Sequence, residues 1–299
     1  MEFITSRKIN NRLYQLNELI TDQIAMHMYL VVGNEKAALI DTGYGLSGQL
    51  RNVVESITDK PVIVLLSHSD PDHAGAAAQF DEIYMSEKEK TLLDAGSISQ
   101  KVRLGNAQAV VHDPKRMDYF KKNLVKAETF SFKPLEDGQL FDLGGVTLEA
   151  IAFPGHTAGS FCFWNEKENY CLVGDSVANV ASPILFFTKC LPLSVYKDNL
   201  HKFLDKVGED CDIYTGHNEE KLDKKLFPEI FAEIDEILSG DTENDEPYLP
   251  PFLKPVVEQA PSPEAGAAIT KQALGDTKAM EHKHPGYTAT IKYNENKLR

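Results

Sequence analysis

The run Ser67-His68-Ser69-Asp70-Pro71-Asp72-His73-Ala74-Gly75 places four side chains of metal-ligand type within six residues, directly after the apolar stretch 61–66. Carboxylates and imidazoles crowded at the end of a buried strand repel one another or stay unsatisfied unless a cation neutralises them. The chemistry this pattern predicts is binding of metal, with two ions the expected number, and metal-dependent hydrolysis.

Three further residues of ligand type stand at strand-to-loop junctions. His156 follows Phe153-Pro154-Gly155, Asp175 follows Val173-Gly174, and His217 follows Thr215-Gly216. Each is preceded by a glycine, which lets the chain turn tightly and approach a metal closely. Polar side chains gathered from the ends of several strands at one sheet edge are a common way to build a site. Alone, His156 reads equally as a loop histidine on a backbone carbonyl and Asp175 as a turn cap; the combination carries the metal reading. His27, His112 and His201 read as packed or surface residues, His282 and His284 as a solvated tail, and Lys189 as a solvated lysine, with a hold on a substrate carboxylate as its functional alternative. Phe186, Phe187 and Tyr196 read as core, with an aromatic wall over the site as the functional alternative.

In this order, His68-x-Asp70-x-Asp72-His73, Pro154-Gly155-His156-Thr157, Gly174-Asp175 and Gly216-His217 resemble the signature motifs of the metallo-β-lactamase superfamily, as does the early turn Asp41-Thr42-Gly43. The second and third elements are similar to those of glyoxalase II and its hydrolase relatives. The resemblance implies an α+β fold, a four-layer αββα sandwich with a dinuclear site at one edge. It implies a first metal on His68, Asp70 and His156, a second on Asp72, His73 and His217, and Asp175 bridging both. A hydroxide between the metals would be the nucleophile, Asp72 would also assist proton transfer, and Asp41 would orient a ligand from behind.

Position 70 departs from the common pattern, in which a histidine stands there; the flavodiiron branch has a carboxylate. Three carboxylates and a hydroxide neutralise two divalent cations, whereas a histidine at 70 would leave one positive charge. An oxygen-richer set also moves preference from zinc toward iron or manganese. The expected function is hydrolysis of a small ester, thioester or lactone. A di-iron oxygen or nitric oxide reductase-like protein fed by a separate electron donor is the alternative, as is a non-catalytic metal-bearing sensor.

The chain has 299 residues and a net charge of −14, which argues against nucleic acid as a partner, since phosphate backbones are held by Lys and Arg. A small-molecule substrate is expected, no membrane partner, and a homodimer stays open. No apolar run is long enough to span a bilayer, the first residues carry no apolar signal segment, and four scattered cysteines make no disulfide framework. These features predict a reducing, cytoplasmic setting.

The elements that must position the site follow from pattern. Residues 28–41 predict a hairpin, 46–57 a helix, 61–67 a strand, and 74–78 the start of a helix aimed at the site. Residues 86–126 mix short helices and loops. Strands are expected at 139–143, 146–153, 160–164, 170–173 and 212–215, with amphipathic helices over 194–207 and 221–239. Two domain-level units follow: 1–240, the metallo-β-lactamase-like domain, and 241–299, a linker and C-terminal extension packing on it. Residues 241–246 read as a solvated acidic linker, the prolines at 250–251 and 261–263 as helix breakers, and 287–293 as a last strand.

Overall fold

The computed structural model describes residues 2–177, 181–250 and 253–299. The first half of the chain forms a seven-stranded sheet in sequence order: β1 (Ile4–Lys8), β2 (Leu13–Leu19), β3 (Ala25–Val32), β4 (Ala37–Ile40), β5 (Val62–Leu65), β6 (Glu82–Met85) and β7 (Lys133–Pro134). The chain runs antiparallel through β4 and parallel from there on. Parallel neighbours need crossovers, and these carry α1 (Leu50–Ile57), the single turn α2 (Pro71–Ala74), α3 (Lys90–Asp94), α4 (Gln100–Val110) and α5 (Pro114–Asn123).

The period of two in a strand divides this sheet's side chains between two cores. Leu30, Leu39 and Val64 pack under α1 with Leu50 and Val54. Their neighbours Val31, Ile40 and Leu65 face the other way, onto Phe141, Leu148, Phe161 and Phe163. Those residues belong to a second sheet, built from β8 (Leu140–Asp142), β9 (Thr147–Ala152), β10 (Phe161–Asn165) and β11 (Tyr170–Leu172). After β12 (Ile184–Leu185) and α6 (Leu193–Val207), β13 (Asp212–Tyr214) completes it, in the order β13-β11-β10-β9-β8. Its outer residues Ile151, Cys162 and Cys171 lie under α6 and α7 (Leu226–Ser239), against Leu200, Phe203, Ile230 and Ile234. The four layers are helix, sheet, sheet, helix.

The helix expected behind residue 74 is shorter than the sequence suggests: α2 is one turn, followed by a 3₁₀ turn at Ala77–Gln79. α1 starts at Leu50 rather than 46, because Gly43, Gly45 and Gly48 all take positive φ and the chain between them is a loop. Glu18 on β2 holds that loop, accepting the N–H groups of Tyr44, Gly45 and Leu46, and burial pushes its carboxyl up to about 7.

The C-terminal stretch corrects three expectations. The Pro261-Ser262-Pro263 segment starts a helix instead of preventing one: in α9 (Pro263–Leu274), which follows β14 (Glu246–Pro247) and α8 (Lys254–Glu258), Pro263 sits in the first turn, where its missing N–H costs nothing, and Ser262 caps Ala265. Pro251 lies outside the described residues. The acidic run is not wholly solvated, since Asp245 accepts from His282 Nδ1 at 2.6 Å and from Tyr293 Oη at 2.6 Å. His282 is accordingly buried, in β15 (Ala279–His282), not a solvated tail residue. The last strand, β16 (Ile291–Asn294), pairs with β15 and, in parallel, with β12, so a third sheet β12-β16-β15-β14 ties the C-terminus to the segment after Asp175.

Lys297 finishes that tie, its Nζ donating to Thr188 O at 2.6 Å and Cys190 O at 2.9 Å. Lys297→Met removes both charge-assisted bonds and is expected to cost about 1–3 kcal/mol in urea unfolding. Amide exchange between 184 and 190 should quicken with it; unchanged exchange there would show that the segment stands without the clasp.

Candidate metal centre

β4 and β5 end side by side, and the site starts from the residue after β4. Asp41 has φ +60°, a conformation that L residues other than glycine seldom take. In it the carboxylate receives three donors: Ser67 N–H at 2.7 Å, Ser67 O–H at 2.8 Å and His73 Nδ1–H at 2.8 Å. A carboxylate here only accepts, so His73 carries a proton on Nδ1 and turns Nε2, the nitrogen a metal would take, toward the site. Ser67 Oγ, having donated to Asp41, accepts from His68 Nδ1 at 2.9 Å, which gives His68 the same tautomer. His156 Nδ1 donates to the Ile184 carbonyl at 2.8 Å. Three imidazoles from separate positions therefore offer Nε2, each fixed through its other nitrogen.

The seven residues expected at the site come together. Ligand atoms of His68, His156 and Asp175 lie within 4.8 Å of one another, and so do those of Asp72, His73 and His217. Asp175 stands between the groups: Oδ1 is 3.0 Å from His217 Nε2 and 3.4 Å from His73 Nε2, while Oδ2 is 4.0 Å from His156 Nε2. Among the described residues, the Nε2 atoms of His68, His73 and His217 and Oδ1 of Asp175 are buried with no hydrogen-bond partner. Buried polar atoms are rarely left so. Four of them converging, in a set of imidazoles and carboxylates, fit a pair of divalent cations.

Glycines 174 and 216 explain the closeness. Gly174 has φ +52°, and a Cβ there would collide with Ser67 Oγ; one on Gly216 would meet His73 Cε1 at 2.6 Å.

Asp70 is the member placed differently. Its Oδ2 is 3.2 Å from His156 Nε2 and 3.5 Å from His68 Nε2, yet the same oxygen contacts Lys189 Nζ. Lys189 is thus a largely buried member of the site, not the solvated lysine its sequence surroundings suggest. Burial works against the charge on Asp70, but Lys189, then His68 and His156, outweigh it and hold the carboxyl well below the usual range. Burial likewise opposes charge on His73 and His217, and the carboxylates around them, Asp175 foremost, raise both imidazoles. The site is a sink for positive charge.

Glu89 was not legible in the sequence, where it lies among lysines. It is fully buried and joins the two sheets behind the site: Oε2 accepts Ser69 N–H at 2.9 Å and Ser69 O–H at 2.7 Å, and Oε1 accepts Thr157 O–H at 2.7 Å and Gly159 N–H at 2.9 Å. One carboxylate thereby sets the loop of His68–His73 against the loop of His156. Phe187 stands beside the His156 ring, centroids 6.5 Å apart, whereas Phe186 and Tyr196 are core.

A family model described as the metallo-beta-lactamase superfamily matches residues 25–217. The chain belongs to that superfamily. Among curated proteins of the superfamily type, it is 29% identical over 165 residues to the acyl-coenzyme A thioesterase MBLAC2 of Homo sapiens, covering 50% of this chain and 58% of that protein. It is 30% identical over 161 residues to the lactamase-like protein nscB of Neosartorya fischeri, covering 51% of this chain and 39% of that one. The chain therefore spans about half the length of these relatives. Among solved structures, a beta-lactamase domain protein from Burkholderia ambifaria superposes with a TM-score of 0.59 at 16% identity, over 97% of this chain and 94% of that one. A metallo-beta-lactamase from Pontibacter korlensis gives 0.57 at 18% identity, over 77% and 97%. Both establish the fold.

Glu89→Gln keeps the shape but turns an NH₂ toward existing donors. It is expected to cost about 2–4 kcal/mol in chemical unfolding, more than a surface Glu→Gln control. The raised imidazoles set a second expectation. A cation entering the site must displace protons that His73 and His217 keep to higher pH than a free imidazole does, so uptake should tighten as pH rises through and above about 6.5 and should release protons. Calorimetry of zinc binding in buffers of differing ionisation enthalpy reads this directly; buffer-independent heats would contradict it.

Proposed function

We propose that this chain is a dinuclear metal-dependent hydrolase that cleaves a small ester, thioester or lactone, with an acyl thioester the first substrate to try. The observation that carries the reading is the arrangement around Asp175, whose Oδ1 faces the Nε2 atoms of His73 and His217 and whose Oδ2 faces that of His156. His68, His156 and Asp175, with Asp70 beside them, would hold one ion, and Asp72, His73 and His217 the other. When bound, the metals supply a hydroxide nucleophile at neutral pH and Lewis acidity toward the carbonyl oxygen.

The residues divide the remaining work. Asp72 keeps its side chain 17% exposed where its neighbours His68 and His73 are closed off, and it is the carboxylate assigned to carry a proton to the leaving group. A crevice of about 440 Å³ opens beside His217, lined by Leu19, Ile24 and Met26 together with Asp22, His27 and Glu219. Its mixed lining suits a substrate with an apolar arm. His27 is kept neutral there, since burial lowers it to about 4, so the crevice adds no cation from that ring. The human thioesterase relative supports the choice of acyl thioesters, and the ligand set is common to all the esters named.

The test is a panel of acyl thioesters, lactones and phosphodiesters with metal-loaded and chelated protein. Turnover of a thioester or lactone that disappears on chelation is expected, and Asp72→Asn, read at saturating metal because it also removes a charged donor to the second ion, should lower kcat by about 10²–10⁴. Two bound metals with no turnover anywhere on the panel would favour the non-catalytic sensor instead, and oxygen consumption by the reduced di-iron form with an added electron donor would favour the redox reading.

A further inference from the structure

Lys189 has no counterpart in the motifs that define the site, yet its place is built. Its side chain is 18% exposed, its ammonium contacts Asp70 Oδ2, and it lies 5.2 Å from the centre of the Phe187 ring. The backbone carrying it is held from two directions. Lys297 takes the carbonyls of Thr188 and Cys190, and Leu191 N–H donates to Gly155 O at 2.8 Å, one residue from His156. A largely buried ammonium on a fixed frame persists only with a partner. The partner is the one residue at which this chain departs from the common ligand pattern.

The charges account for the coincidence. Asp70, Asp72 and Asp175 with a hydroxide cancel two divalent cations; Lys189 returns one positive charge, the total that a neutral histidine at position 70 would leave. The ammonium and a first metal also contend for the same oxygen, Asp70 Oδ2, which lies 3.2 Å from His156 Nε2 and 3.5 Å from His68 Nε2. We propose that the Asp70–Lys189 ion pair stands in for the imidazole that other members carry at position 70, so that Lys189 sets the net charge of the two-metal centre and limits the hold of Asp70 on the first metal. Lys189 is a positioning residue in this account, acting through Asp70. The inference rests on the two-metal reading above.

Zinc affinity, measured by competition with a chelator of known strength, tests it without recourse to activity. Lys189→Met should hold the first zinc roughly tenfold tighter or more, because like charge a few ångströms away is removed and Asp70 is freed. Lys189→Arg, which keeps the charge, should stay within a few-fold of the wild type. The double variant Asp70→His with Lys189→Met should return to wild-type affinity, since it restores the common pattern. If Lys189→Met does not fold, the double variant decides: a folded protein with wild-type affinity supports the pairing, and one that stays unfolded or loses the first zinc overturns it. Lys189→Met with unchanged affinity at both sites overturns this inference alone. A wild type that binds fewer than two zinc ions at saturation overturns the two-metal reading and this inference together.

Discussion

The carboxylate of Asp41 is the interaction on which the rest of the centre depends. It binds the backbone and side chain of Ser67 and the ring of His73, and through Ser67 it reaches the ring of His68. One acceptor thereby fixes the start of a ligand loop and the tautomer of two imidazoles. The left-handed backbone at Asp41 is the cost of aiming that carboxylate inward, at the end of a strand buried on both faces. Locked from behind through Nδ1, the two rings turn their Nε2 atoms toward a shared space.

Charge organises the same space. Three carboxylates and four imidazoles pack together, and Asp70 and Asp175 are held charged, against the effect of burial, by the cationic groups around them. Such a cluster costs stability unless positive charge arrives, which is why the fold tolerates it only at a place made to receive cations. Glu89 and Glu18 carry no part of that chemistry. They are buried carboxylates that hold loops by accepting backbone N–H groups, and they keep the ligand loops where strand geometry alone would not.

The ligand residues were legible in the sequence because each is a local signal: His156, Asp175 and His217 each follow a strand and a glycine, and His68 to His73 crowd into one short run at the end of a strand. The layers were legible because strand residues buried on both faces leave continuous apolar runs, as at 61–66. Glu89 and Lys189 were not, since nothing nearby distinguishes a buried charge from a solvated one. Their partners lie 20 and 70 residues away for Glu89 and 119 away for Lys189. The tail was misjudged for the same reason. Asp245 and His282 each look solvated alone, and only their mutual hydrogen bond, across 37 residues, takes them out of water. Pro263 misled in another way: the residue that ends helices also begins them when a Ser stands before it.

The ligands are divided between the two sheets, with Asp70, Asp72, His68 and His73 after β5 and His156, Asp175 and His217 from the second half of the chain. During synthesis the first cluster leaves the ribosome well over a hundred residues before His217 does. A nascent chain halted anywhere between them carries the most cation-hungry stretch of the protein without its complement, open to whatever ion is abundant. Only docking of the completed second sheet closes both groups at once, so acquisition of the full set is a signal that assembly has finished.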